Sequence, residues 1–178
     1  MSDQKNFYGK VVDFMTGKEV PNVGMEEVRQ YMERFLVEER GYSKSDIEVD
    51  AHSKSSVDDD EIGFSVGLVV SVQGKRFMVL IWVPGSLGSR HRETVASARL
   101  LDDYQIPFSV VSDGRTAEVL DTSTGEVIGT GLEAIPHKEE AIRQMQEMTF
   151  QEVPQKRLKL ERLILRSYDE MNCPGLRT

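Results

Sequence analysis

The longest unbroken hydrophobic segment of the chain covers residues 77–83. A strand with one face in solvent alternates apolar and polar side chains, whereas this segment is apolar at both odd and even positions. The pattern therefore predicts a central strand that is covered on both faces. Gly74 precedes the strand as a turn, and Pro84 ends it. Residues 62–72 are predicted to form the preceding strand and to pair with it as a hairpin.

Apolar side chains at three- and four-residue spacing predict helices on both sides of this hairpin. The clearest helix covers residues 25–40, and Arg40 in its last turn complements the helix dipole. A second helix is expected over residues 90–104. We expect both helices to pack against the sheet. Residues 137–172 predict two more helices that meet at Pro154 in a helical hairpin, which would cover the sheet edge or form a homodimer.

The remaining strands are short, and the order of all the elements defines the fold class. Strands are predicted over residues 47–51, 108–111, 116–120 and 127–128. The polar residues 52–61 are expected to form a mobile loop. Helix, hairpin, helix and further strands predict an α/β sandwich around a mixed central sheet. We expect a core domain over residues 1–136 and a C-terminal helical extension over residues 137–178 that packs on the same domain.

Composition narrows the class of protein. The net charge is −8, which argues against a dedicated sequence-independent nucleic-acid binder, since such a protein needs a basic surface. The lone Cys173 excludes an intramolecular disulfide and gives no zinc-site spacing. No apolar run reaches the ~18 residues that span a bilayer. A cytoplasmic protein without a membrane partner is therefore expected.

Several segments match, in the same order, the pattern of a known family. The matching segments are Glu27-Val28-Arg29-Gln30, the run from Phe35 to Tyr42, the hairpin through Gly74-Lys75, Tyr104 with Ile106-Pro107-Phe108, Ser112-Asp113-Gly114 and Ile135-Pro136. The chain resembles the N-terminal nuclease domain of type I restriction enzyme R subunits and its stand-alone relatives, which belong to the PD-(D/E)XK, or restriction-endonuclease-like, superfamily. The resemblance implies a restriction-endonuclease-like αβα sandwich.

The resemblance also implies where a catalytic site would lie. In such nucleases an Asp in the first strand of the hairpin and a Glu-x-Lys in the second hold and serve a metal ion. By position, the Asp falls at Gly67, and the Glu and Lys fall at Ile81 and Val83, or at Trp82 and Pro84 if the register shifts by one. None of these residues is ionisable. The resemblance therefore implies the fold and argues against the activity, with no catalytic residue, metal or cofactor at the central strand.

A nuclease with a rearranged site is the alternative. Some relatives move the catalytic acid to the helix after the central strand, where this chain has Glu93. Glu26 or Glu27 matches an accessory helix acid of others. The acids of residues 58–61 would complete a Mg²⁺ site. The structural interpretation is favoured, because a Glu in a first helical turn stabilises the helix and an acidic run is most often a solvated loop.

The last predicted helix carries a basic stripe. Its residues are Lys156, Arg157, Lys159, Arg162 and Arg166. The stripe predicts either a solvated face or a weak, salt-dependent contact with DNA phosphates. The sequence as a whole predicts a catalytically degenerate binding or assembly module, linked to DNA restriction or DNA metabolism. Its partner would be an unidentified protein or a second copy of the chain.

Overall fold

The computed structural model describes residues 9–57 and 60–172. Within them lie eight strands: β1 Lys10–Val12, β2 Glu19–Pro21, β3 Ile47–Val57, β4 Asp60–Val72, β5 Lys75–Trp82, β6 Phe108–Ser112, β7 Ala117–Asp121 and β8 Val127–Thr130. The α-helices are α1 Glu26–Arg34, α2 His91–Leu100, α3 Lys138–Glu147 and α4 Gln155–Asn172. A π-helical turn at Phe35–Glu39 continues α1. None of the helices in these ranges is both long and apolar enough to span a membrane.

Six of the strands form one mixed sheet in the order β3-β4-β5-β6-β7-β8, and β1 pairs with β2 separately. The β5–β6 pair is parallel and every other pair in the sheet is antiparallel. A parallel pair needs a crossover connection, which α2 supplies. The α/β fold with C-terminal helices is confirmed, and it is consistent with a restriction-endonuclease-like architecture.

The central strand β5 is covered on both faces, as predicted. Met78 and Leu80 belong to a core cluster that includes residues of α1 and α3, and Val79 packs with α2 on the opposite face. Phe77 departs from strict alternation, because the β4–β5 register shifts between Val70 and Ser71. It therefore joins the cluster of Met78, where its ring meets Phe108 edge to face at 5.0 Å.

The two C-terminal helices lie on opposite faces of the sheet, so the predicted helical hairpin is wrong. Ala141 of α3 is buried in the cluster shared with α1. α4 packs instead on α2, where Leu165 is buried. The segment that connects α3 to α4 is held by a backbone hydrogen bond, in which Gln105 N–H donates to the carbonyl of Gln151 at 2.8 Å.

A buried ion pair joins α4 to α2. Arg99 Nη1 donates to Glu161 Oε1 at 2.5 Å, and both side chains are buried. The same guanidinium donates to the carbonyls of Thr122 and Ser123 after β7. Because one cation meets one carboxylate and two carbonyls there, the buried charges are compensated. The contact selects the α2 face for α4.

The mobile loop predicted over residues 52–61 is wrong. Residues 52–57 extend β3, and β4 begins at Asp60, with Val57 paired to Asp60 across the hairpin. Asp58 and Asp59 lie outside the described residues. Pairing with β4 satisfies the backbone groups of residues 52–57 that face it, and the other side of β3 is the edge of the sheet. A polar sequence is therefore compatible with a strand at this position.

Candidate functional site

The indole ring of Trp82 fills the space beside Gly67. A Cβ atom added at Gly67 would lie 2.5 Å from Trp82 Cζ3, 2.6 Å from Cη2 and 3.1 Å from the carbonyl oxygen of Leu80. Non-bonded carbon atoms prefer a separation of about 3.5–4.0 Å. No side chain fits at position 67 while the ring keeps its place. Trp82 thus occupies the space into which a metal-binding Asp at position 67 would project.

The other matched positions are also apolar and packed. Leu68 and Leu80 form the last pair of the β4–β5 register, and Gly67 and Ile81 lie next to that pair along the two strands. Ile81 packs against the clusters on the α2 face of the sheet. Val83 is only 3% exposed, and its N–H donates to the carbonyl of Ser112 at 2.9 Å. The end of β5, where the resemblance places a Glu and a Lys, therefore carries the half-buried Ile81 and is followed by the buried Val83.

The residues at this strand end do not fit a divalent metal ion. Mg²⁺ and Mn²⁺ bind carboxylate, carbonyl and water oxygens, and Gly67, Ile81 and Val83 bring no side-chain oxygen. Throughout the part of the chain that the structure describes, no group of three or more His, Cys, Asp or Glu side chains is arranged to hold a metal.

Glu93 is held at the start of α2 by an ion pair. Its Oε2 accepts a hydrogen bond from Arg90 Nη1 at 2.8 Å, and its side chain is 16% exposed. The Arg90 guanidinium lies 5.5 Å from the centre of the Tyr168 ring. Tyr168 in turn donates to the carbonyl of Ser89 at 2.9 Å. These contacts link the first turn of α2 to α4, which is a structural role for Glu93.

The structure does not bring the alternative acids together. Glu27 is exposed on α1 and accepts a hydrogen bond from Asn22 Nδ2 at 2.8 Å. Because α1 and α2 cover opposite faces of the sheet, Glu27 and Glu93 lie on opposite sides of it. Of the acids in residues 58–61, Asp60 and Glu61 contribute backbone to β4, and the first two lie outside the described residues.

The five basic residues of α4 do not form one uniform stripe. Arg157 lies 3.8 Å from Glu161 and lines a cavity between α2 and α4. Arg162 lines a second cavity together with Asp102 and Glu152. The other basic residues include Lys156 and Lys159, which are exposed, and Arg166, which is half-buried. Contact of this helix with phosphate stays a prediction.

A buried charge cluster on α1 was not predicted from the sequence. Arg29 donates to Glu33 Oε1 and to Asp13 Oδ2, each at 2.5 Å, and also to the carboxylate of Glu26. The Arg29 and Asp13 side chains are nearly buried, and that of Glu33 is fully buried. Within the described residues, Glu33 Oε2 has no hydrogen-bond partner. One guanidinium therefore faces three carboxyl groups.

The three carboxyl groups of this cluster have pKa values that are shifted in different directions. Burial raises the pKa of Glu33 from 4.5 to about 7, against the attraction of Arg29. Burial also acts to raise the pKa of Asp13, but hydrogen bonds from Thr16 and Arg29 outweigh it and lower the pKa to about 2. Hydrogen bonds from Arg29 lower the pKa of Glu26. Glu33 is the group at which this cluster takes up a proton.

Part of the cluster has a sequence signal. Glu26, Arg29 and Glu33 are spaced by three and four residues, so a helix places them on one face. Asp13 lies 16 residues from Arg29, in the turn between β1 and β2. Its role follows only from how that hairpin packs on α1.

We expect Gly67→Ala to lower the free energy of unfolding by about 1–3 kcal/mol, because the new methyl group overlaps the Trp82 ring. Urea unfolding measures the change. Gly63→Ala is the matched control in the same strand, since a Cβ there meets nothing within 4 Å, and its effect should stay within about 0.5 kcal/mol.

A double-mutant cycle assigns the effect to the ring. In a Trp82→Ala background the cost of Gly67→Ala should fall by about 1–2 kcal/mol, since the overlapping ring is gone. Equal costs in the two backgrounds, or a Gly67→Ala variant as stable as Gly63→Ala, would contradict the contact.

Stability is expected to fall as the pH rises from about 4.5 to 7. The folded chain keeps a proton on Glu33 that the unfolded chain releases in this range, so the free energy of unfolding decreases by on the order of 1–3 kcal/mol. Asp13 acts below this range, where its lowered pKa adds stability as the pH rises from about 2 to 3.8.

Urea unfolding at pH 5 and pH 7.5 measures the effect of Glu33. Glu33→Gln should abolish it and Glu27→Gln should not; an unchanged pH profile in Glu33→Gln would refute the assignment.

A comparison with known protein families identifies the core of the chain. A family model described as type I restriction enzyme R protein N terminus (HSDR_N) matches residues 24–136, which is more than half of the chain. No curated protein and no solved structure matches the chain at a significant level. The matched range contains α1, α2 and the whole six-stranded sheet. The chain belongs to the family of type I restriction enzyme R protein N-terminal domains.

Proposed function

We propose that this chain is a catalytically inactive relative of PD-(D/E)XK nucleases and works as a binding or assembly module. The observation that supports the proposal is the Trp82 ring in the space beside Gly67. A working site of this type needs at least two convergent carboxylates to hold a hard metal ion. The matched positions supply Gly67, Ile81 and Val83, so neither Mg²⁺ nor Mn²⁺ has a place to bind on β5.

The family suggests the setting in which such a module acts. Its description names the R protein of a type I restriction enzyme, so we propose a role linked to DNA restriction in the cytoplasm. A module without catalysis acts through its surface, and we propose that its main partner is a protein. Contact with DNA, if made by the basic residues of α4, should be weak and should fall steeply with salt, because such contacts act by counterion release.

We predict that millimolar Mg²⁺ or Mn²⁺ leaves the melting temperature unchanged, and that the protein cleaves neither plasmid nor single-stranded DNA. A ligand at ten times its dissociation constant adds about 1.4 kcal/mol of stability. For a domain of this size that is a shift of roughly 3–5 °C, which differential scanning fluorimetry resolves.

Glu93→Gln is the variant that separates the proposal from a rearranged nuclease. The inactive-module proposal fails if metal raises the melting temperature by several degrees, the protein cleaves DNA, and Glu93→Gln abolishes both effects. In that case the chain is a nuclease with a rearranged site. Because Glu93 is paired with Arg90, the melting temperature of the metal-free variant is measured alongside as the control for folding.

A further inference from the structure

A groove between α2 and α4 is open at the surface and has apolar side chains in its lining. Val95 of α2, Leu160 and Ile164 of α4, and Thr124 and Gly125 of the β7–β8 turn line it. We call this the α2–α4 groove. Leu160 is 48% exposed, although it lies beside other apolar side chains. The groove thus offers apolar surface to a further side chain.

The lining of the α2–α4 groove is basic, with three arginines, Arg92, Arg99 and Arg157, against the single carboxylate of Glu161. We call its exposed charged residues the rim. Arg99 Nη1 forms an ion pair with Glu161 Oε1 at 2.5 Å, and both side chains are buried. Arg92 and Arg157 are exposed, so they place an excess of positive charge at the mouth of the groove. The chain as a whole has a net charge of −8, which makes this rim a local exception.

His91, on the same rim, adds little to this excess. Its Nε2 lies 2.5 Å from Glu118 Oε2, so any charge on the imidazole faces a carboxylate of β7. The positive charge that a ligand would meet therefore comes from the two exposed arginines.

The size of the groove limits what it can hold. Its volume is about 240 Å³, below the roughly 300–1,000 Å³ of sites that enclose a whole cofactor or drug-sized ligand. One or two aliphatic side chains fit such a volume. Protein interfaces commonly use an anchor of this kind, a buried side chain in a pocket surrounded by polar contacts.

We infer that the α2–α4 groove docks an acidic segment of a partner protein, which inserts a Leu or Ile side chain between Val95, Leu160 and Ile164. This inference rests on the proposed function of a binding module and names its surface and the chemistry of its partner. Carboxylates of the segment lie against Arg92 and Arg157, whose fork-shaped guanidinium groups bind carboxylates in pairs of hydrogen bonds.

The positive charge and the apolar lining of the groove together favour an acidic segment with an aliphatic side chain over other ligands. A nucleic-acid backbone would pair with the arginines but would leave Leu160 uncovered. An anionic membrane would be repelled by the net charge of −8, and two arginines beside one exposed leucine give a narrow apolar face for insertion. A second copy that presented the same groove would bring like charges together.

The test uses fluorescence anisotropy of the full chain with a short, labelled synthetic peptide made of Glu, Asp, Leu and Ile. We expect saturable binding that weakens with salt. Replacing Leu and Ile in the peptide by Ser, or its acidic residues by Lys, should abolish binding. Leu160→Ser should weaken binding about tenfold, as expected for the loss of an apolar anchor contact.

Two matched controls come from the same helix. Leu163 is 40% exposed but does not line the α2–α4 groove, so Leu163→Ser should change the dissociation constant by less than about twofold. Arg92→Glu and Arg157→Glu should each weaken binding several-fold, whereas Lys156→Glu, outside the groove, should have a smaller effect. The circular dichroism spectrum and melting temperature of each variant check its folding.

Four outcomes would overturn the inference. The first is the absence of saturable peptide binding, and the second is an equal effect of Leu160→Ser and Leu163→Ser on binding. The third is tight binding of labelled duplex DNA that Arg92→Glu abolishes and Leu160→Ser leaves intact. The fourth is binding to vesicles of anionic phospholipid that depends on Leu160. None of these outcomes restores nuclease activity, so the inactive-module proposal is judged separately by metal binding and cleavage.

Discussion

Burial of β5 between two layers of side chains determines how the helices and the other strands pack. Residues 77–80 are fully buried, with α1 and α3 on one face and α2 on the other. A strand in this position can expose functional groups only at its end. In this chain the end is occupied by Ile81, Trp82 and Val83, and the Trp82 ring leaves room for nothing larger than glycine at position 67. The packing that completes the core therefore also fills the space beside Gly67, which is the observation behind the proposed loss of activity.

Local patterns were enough to predict the core, because its signals lie close together in sequence. The two-faced apolar run predicts the central strand, and apolar spacing predicts α1. The departures have identifiable causes. A shift in the β4–β5 register moves Phe77 to the face of Met78, and polar residues 52–57 form a strand because β4 pairs with their backbone. Neither cause is visible in side-chain polarity.

Buried ion pairs position two elements whose packing the sequence did not indicate correctly or at all. Arg99 and Glu161 are 62 residues apart and hold α4 on α2, while Arg29 and Asp13 hold the β1–β2 hairpin on α1. The gain from such pairs is offset by desolvation, but loss of one partner leaves a buried charge and is costly. We infer that these pairs specify where an element packs more than they stabilise the fold. The same packing leaves a groove between α2 and α4 that is lined by arginines and apolar side chains. The contact between the Trp82 ring and Gly67 could not be predicted, since the sequence gives the residue types at these positions but not how their side chains pack.

The fluorescence of Trp82 reports on whether a metal ion binds beside Gly67, because Trp82 is the only tryptophan in the chain. Mn²⁺ and Co²⁺ quench tryptophan emission when they bind close to the ring. Titration of the native protein with either ion should give no saturable quenching, and only the linear, collisional loss that free N-acetyltryptophanamide also shows. Saturable quenching at micromolar to millimolar metal, reversed by a chelator, would place a metal ion beside Trp82 and contradict the account.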